Sequence, residues 1–208
     1  ENRKKGAARH GMAGLLHEKP CAGGNGSGKH NNGSMCTDKG ENLLDPGSTP
    51  EDNAQFLLFL SAVIKAVDDY QDLLRLCVAS AGNDHRLGAN EAPPAIISIY
   101  MGDQVGEIVD AIVNGVPFDE LPCAKVEPLD LGVSTLPVIP KDPTDRNRTS
   151  PFAFTGNRFE FRMVASSVSI GDANTVMNSM MAEAFNKACD VLEGAEDFEK
   201  AAVDYIYK

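Results

Sequence analysis

Residues 23–30 read GGNGSGKH, and how they are read decides the fold. They differ by one residue from the phosphate-binding loop G-x-x-x-x-G-K-[ST], with His30 where a Ser or Thr hydroxyl would hold magnesium. Such a loop follows an apolar strand and opens a helix within an α/β sheet. Here Pro20 precedes the glycines and Asn31-Asn32-Gly33-Ser34 follows them, with no apolar periodicity. No phosphate-cradling helix is therefore expected. Residues 17–37 read as extended chain broken by a glycine turn.

Further along, Thr49-Pro50-Glu51-Asp52 carries the marks of a helix start: a capping residue, Pro at the first helical position and acids at the positive end of the dipole. Phe56, Phe59, Leu60, Val63, Ile64, Val67, Leu73, Leu74 and Cys77 then recur at helical spacing, which predicts a long helix bent near Asp68-Asp69. Residues 80–91 are small and polar and read as a loop ending at Pro93-Pro94; residues 95–100 read as a buried strand. A short helix is expected over 104–113. The six prolines in 117–145 exclude regular structure over most of that segment. A strand at 158–162 and helices near 173–192 and 195–207 complete the pattern. Without a strand-helix-strand rhythm the fold class is α+β.

A chain of 208 residues with 42% apolar content can bury one substantial core. Nineteen basic residues against 30 acidic ones leave a net charge of -11, the wrong sign for neutralising phosphates, so no nucleic-acid partner is expected. Cys21, Cys36, Cys77, Cys123 and Cys189 are odd in number and scattered, which reads as reduced thiols in a cytoplasmic protein. The longest apolar run, residues 56–60, is too short for a bilayer, and no signal-peptide pattern follows the N-terminal charges. The absence of an initiator Met, and an ending inside an amphipathic pattern, lead us to expect a piece of a longer polypeptide.

Three features could carry chemistry. Strand alternation puts Arg158, Glu160 and Arg162 on one face and Phe159 and Phe161 on the other. That polar face is either a solvated surface over a Phe pair or two guanidiniums flanking a carboxylate that holds a divalent metal. Asn147-Arg148-Thr149-Ser150 adds a cation upstream, and His30 is a lone histidine in a glycine turn. Met177, Met180 and Met181 fall in a helical pattern as core filler.

In order along the chain, NGSGKHNN at 25–32, AGNDHRLGANEAPPAIISIY at 81–100 and NRTSPFAFTGNRFEFRM at 147–163 resemble the successive active-site motifs of glutamine synthetase, in its type III form. The resemblance covers nearly the whole chain. It implies a curved, mainly antiparallel sheet backed by helices, and an ATP-dependent glutamate-ammonia ligase working through a γ-glutamyl phosphate. It implies that His30 and Glu160 are ligands of Mg2+ or Mn2+, and that Asn25, Gly26, Arg86, Glu91 and Arg162 bind glutamate. Asn32, Ser34, Arg148 and Arg158 match ATP-contacting positions, and Glu91 and Arg148 match catalytic ones, Glu91 as the flap acid that receives ammonium.

The pattern departs from the bacterial form at Asn32, which replaces a second histidine, and at Ala153, which replaces an arginine. Both suit type III. Gly33 stands where an aromatic is usual. By the same resemblance, residues 1–208 are part of a catalytic domain, without the N-terminal β-grasp domain, the upstream metal-ligand strands and the C-terminal region, and are inactive alone. The full-length protein is expected to be a homo-oligomer, a dodecamer in the family. The alternative is a truncated non-catalytic homologue that binds nucleotide or pairs with intact subunits.

Overall fold

The computed structural model describes residues 2–15, 17–123 and 149–208, with the backbone of 128–129 and 139–140 between them. Six helices and six strands are described: α1 (Asn2–Arg9), β1 (Gly28–Gly33), α2 (Ala54–Leu76), α3 (Ala81–Arg86), β2 (Ile99–Tyr100), α4 (Gly102–Val113), β3 (Pro128–Leu129), β4 (Ile139–Pro140), β5 (Phe152–Phe154), β6 (Phe159–Ala165), α5 (Gly171–Glu193) and α6 (Phe198–Ile206). The fold is α+β. Its main sheet runs β1-β6-β5-β2, and β3 pairs with β4 separately. Two of the three neighbour pairs are antiparallel, but β2 lies parallel to β5, so the sheet is mixed.

The long helix forms as its apolar spacing predicts, with a small correction at its start. Residues 50–52 make a separate 3-10 turn, and Thr49 makes no side-chain cap. The cap is Asn53, whose Oδ1 accepts from Phe56 N–H at 3.0 Å. The expected bend appears at Tyr70, whose φ of -122° and ψ of 18° leave the helical region.

Phe56, Leu60, Val63 and Val67 of α2 are buried together with Phe152, Phe154, Phe159 and Phe161 of the sheet. The contact is direct, with the Phe56 and Phe154 rings 5.8 Å apart. Met180 of α5 is buried in the same core, and Met177 and Met181 pack against it. This apolar floor leaves the opposite side of β1 and β6 for polar side chains.

Two further expectations are corrected. Residues 80–91 are not simply a loop: Ser80 Oγ caps α3 by accepting from Asn83 N–H. Asn83 is buried and donates to the carbonyls of Val78 and Met163 at 2.7 and 2.8 Å, so one local and one long-range hydrogen bond hold a helical turn that local propensity does not announce. The buried strand expected at 95–100 shrinks to Ile99–Tyr100, with Ile96 exposed, since the prolines behind it delay pairing. Helix α1 has no counterpart in the sequence reading. Most of the proline-rich segment 117–145 lies outside the described residues.

Candidate active site

Strands β1 and β6 build the site. Asn32 pairs with Glu160 and Asn31 with Phe161, while Lys29 pairs with Val164. Between those pairs two β6 residues, Arg162 and Met163, oppose the single His30. This is a β-bulge, a device that re-aims side chains where it occurs. On the strand face away from the Phe floor, His30 Nδ1 lies 2.7 Å from Glu160 Oε1. The other carboxylate oxygen accepts from Arg162 Nε at 3.0 Å and Nη2 at 2.9 Å.

Glu160 thus joins an imidazole to a guanidinium. Burial works to raise its carboxyl pKa, but the hydrogen bond and charge of Arg162, and then those of His30, outweigh it and hold the group below its ordinary value. A carboxylate and, in its neutral form, an imidazole nitrogen are both groups that divalent cations take as ligands. Arg158, expected on the strand, sits just before it in the β5–β6 turn and is exposed.

Arg86, expected among the glutamate-binding residues, is buried beneath the strand, and Arg162 is buried as well, at 2% exposure. Arg86 is 1% exposed. Its Nη2 donates to the Arg162 carbonyl at 2.9 Å and its Nη1 to Asn83 Oδ1 at 2.8 Å, with the Met163 and Val164 carbonyls at 3.2 and 3.4 Å. Burial works against its charge and the Glu18 carboxylate works for it.

The side chain runs under the glycine stretch: a Cβ on Gly28 would stand 2.3 Å from Arg86 Nη2, and one on Gly26 2.7 Å from Arg86 Cγ. The close approach that these two glycines permit is that of Arg86. Through Gly26 N–H, which donates to the Asn90 carbonyl at 2.9 Å, the same joint reaches the turn that carries Glu91. Glu91 is exposed and adopts φ 53°, a left-handed backbone that favours glycine.

The other expected residues are spread around this centre. Asn25, Asn32 and Ser34 are exposed along the glycine turn and β1. Arg148 lies outside the described residues. Glu18, unnoticed in the sequence, is buried and accepts from Ser167 N–H at 2.9 Å and from the Ser167 hydroxyl, while its own carbonyl accepts from Ser27 N–H at 2.7 Å. It ties the approach to the glycine turn to the segment after β6, and only its place just before Lys19-Pro20 hinted at it.

The chain is 56% identical over 180 residues to the type-3 glutamine synthetase of Dictyostelium discoideum, a match that takes in 86% of this chain and 24% of that protein. It is 52% identical over 184 residues to a glutamine synthetase of Bacteroides fragilis (strain YCH46), covering 88% of this chain and 25% of the relative. The chain belongs to the glutamine synthetase family, type III. A glutamine synthetase of Butyrivibrio fibrisolvens agrees, at 56% over 168 residues, or 81% of this chain and 23% of the relative. The chain spans about a quarter of the length of these curated relatives. No family model matches it.

Glutamine synthetase membership implies ATP and a divalent metal. The 2.7 Å between His30 Nδ1 and Glu160 Oε1 is close to the ~3 Å edge of an octahedral shell with bonds of about 2.1 Å, so the pair fits as two ligands. Among the described residues no three His, Cys, Asp or Glu side chains converge. No helix among the described residues is long and apolar enough to cross a membrane.

Proposed function

We propose that the intact protein is a glutamate-ammonia ligase that uses ATP to make glutamine through a γ-glutamyl phosphate. The observation that carries this is the His30, Glu160, Arg162 array across the β1–β6 pair. In it, His30 and Glu160 are two ligands of a Mg2+ or Mn2+ ion, whose bound charge neutralises the ATP γ-phosphate. Further acidic ligands come from other parts of the intact protein. These strands are then part of the curved, mainly antiparallel sheet of a partial catalytic domain, in a cytoplasmic homo-oligomer, the family's dodecamer.

The residues divide by chemistry. Arg162, buried and anchored on Glu160, supplies positive charge behind a glutamate carboxylate, with Asn25 and Gly26 lining the same substrate. Arg86 serves glutamate at one remove, by gripping the backbone of the strand that carries Arg162. Arg148, Arg158, Asn32 and Ser34 take the nucleotide and the transferring phosphoryl group. The glutamate γ-carboxylate oxygen bonds to the γ-phosphorus as ADP leaves; the nitrogen of ammonia then bonds to the acyl carbon as phosphate leaves. Glu91 accepts the proton that turns ammonium into that nucleophile. Its turn, hydrogen-bonded to Gly26, covers the acyl phosphate and keeps water from it.

The test is γ-glutamyl hydroxamate formation from glutamate, ATP and hydroxylamine by the intact protein. Product that needs both ATP and metal is expected, with His30→Ala and Glu160→Ala each lowering kcat/KM by about 100-fold. An intact protein that makes no such product would overturn the ligase reading in favour of a non-catalytic homologue.

A further inference from the structure

Asn42 lies outside the family motifs, yet both ends of its carboxamide are engaged. Oδ1 accepts from Leu44 N–H at 3.0 Å and from the Ser34 hydroxyl at 2.5 Å, while Nδ2 donates to the Asn157 carbonyl at 2.8 Å. The orientation is fixed by these partners, since a flipped amide would set its NH2 against Leu44 N–H. Ser34 Oγ also stands 3.1 Å from the Asn157 carbonyl, but a hydroxyl has one proton. The Asn42 contact is the shorter, 2.5 Å against 3.1 Å, so the Ser34 proton goes to Asn42 Oδ1.

Both sides of this knot are anchored. Next but one to Asn42, Leu44 is buried in the core. Residues 35–43 close on themselves through a Cys36 to Asn42 bridge and the hydrogen bond from Leu43 N–H to the Met35 carbonyl at 2.8 Å. On the far side, Asn157 belongs to the tight β5–β6 turn, closed by Thr155 N–H on the Arg158 carbonyl at 2.8 Å, with Gly156 at φ 92°. The next residue is Arg158, with its side chain exposed.

We propose that Asn42 is a positioning residue for the nucleotide: it fixes the β5–β6 turn against the segment after β1, so that Arg158 and Ser34 meet the polyphosphate together. This rests on the ligase reading in which Arg158 contacts ATP. Asn42 itself touches no substrate. It acts by removing the freedom of a turn that carries a long cation, which preserves the geometry that phosphoryl transfer requires.

The experiment is steady-state kinetics on the intact protein, varying ATP and glutamate in turn, for wild type, Asn42→Asp, Arg158→Ala and the double variant. Asn42→Asp keeps the acceptor for Leu44 and Ser34 but sets a carboxylate oxygen against the Asn157 carbonyl. It should raise the KM for ATP about 10-fold and leave that for glutamate unchanged, whereas a merely structural role would lower the active fraction without separating the two substrates. In the Arg158→Ala background the same change should add less than about 2-fold. An unchanged KM for ATP in Asn42→Asp, or its full effect persisting without Arg158, overturns the inference and leaves the ligase reading standing. If Arg158→Ala alone leaves ATP kinetics intact, the role given to Arg158 fails and that of Asn42 with it. Should Asn42→Asp not fold, Asn42→Ser takes its place with the same expectations.

Discussion

At Gly28, where β1 begins, an added Cβ would meet the buried Arg86 guanidinium at 2.3 Å; at Gly33, where the strand ends, it would meet nothing within 4 Å. The residue type is the same and the reasons are opposite. The first end is a joint, in which one arginine holds the carbonyls of residues 162–164 and the turn before Glu91 leans on Gly26. The second end is open and polar, and its order comes from Asn42. His30 lies between them. Glycine in this motif therefore has no single meaning: one end uses it to admit a side chain, and the other leaves space beside the strand.

The largest effect is expected at the joint. Gly28→Ala should cost about 3 kcal/mol, lowering the melting temperature by roughly 10 °C, because the guanidinium must leave its carbonyls or the strand must shift. Arg86→Met, similar in length but without donors, should cost about 2 kcal/mol in a urea titration by stranding buried carbonyls. A Gly28→Ala protein that melts with wild type would erase the difference between the two ends.

A smaller effect concerns pH. Burial works to raise Glu18, but the hydrogen bonds of Ser167 outweigh it, so its folded-state pKa lies below the ordinary 4.5. A depressed carboxyl contributes stability that is present above the unfolded value and is lost as pH falls through the folded one. Glu160 follows the same sign. Wild type should therefore lose stability from about pH 4.5 downward, and Glu18→Gln should lose less over that range while being weaker at pH 7. Parallel curves for the two proteins would remove Glu18 from the joint. The smallest effect is at the open end, where Gly33→Ala should stay within about 0.5 kcal/mol of wild type by thermal melting. A loss there as large as at Gly28 would show that the open end is also packed.

What the sequence disclosed follows the range of the interactions. Helix α2 and strand β6 were legible because their patterns are local: apolar spacing in one, alternation of Phe with charged residues in the other. His30, Glu160 and Arg162 could be named individually, and the long-range pairing of β1 with β6 then brought them together. Asn83, Arg86, Glu18 and Asn42 were not legible in their structural roles. Each acts on backbone groups far along the chain, 76 residues away for Arg86 on Arg162 and 115 for Asn42 on Asn157, and such contacts leave no periodicity. The turn at 80–86 was misread for the same reason, since the hydrogen bonds that hold Asn83 come partly from β6.

The central claim is that His30 and Glu160 together hold a divalent cation. Its most direct test is a Mn2+ titration of the intact protein followed by electron paramagnetic resonance, with wild type, His30→Ala, Glu160→Ala and Arg158→Ala compared without nucleotide. Each of the first two substitutions should weaken one Mn2+ site by at least about 10-fold, and Arg158→Ala should leave it unchanged. Mn2+ affinity and stoichiometry that stay at wild-type values in both His30→Ala and Glu160→Ala would contradict the account.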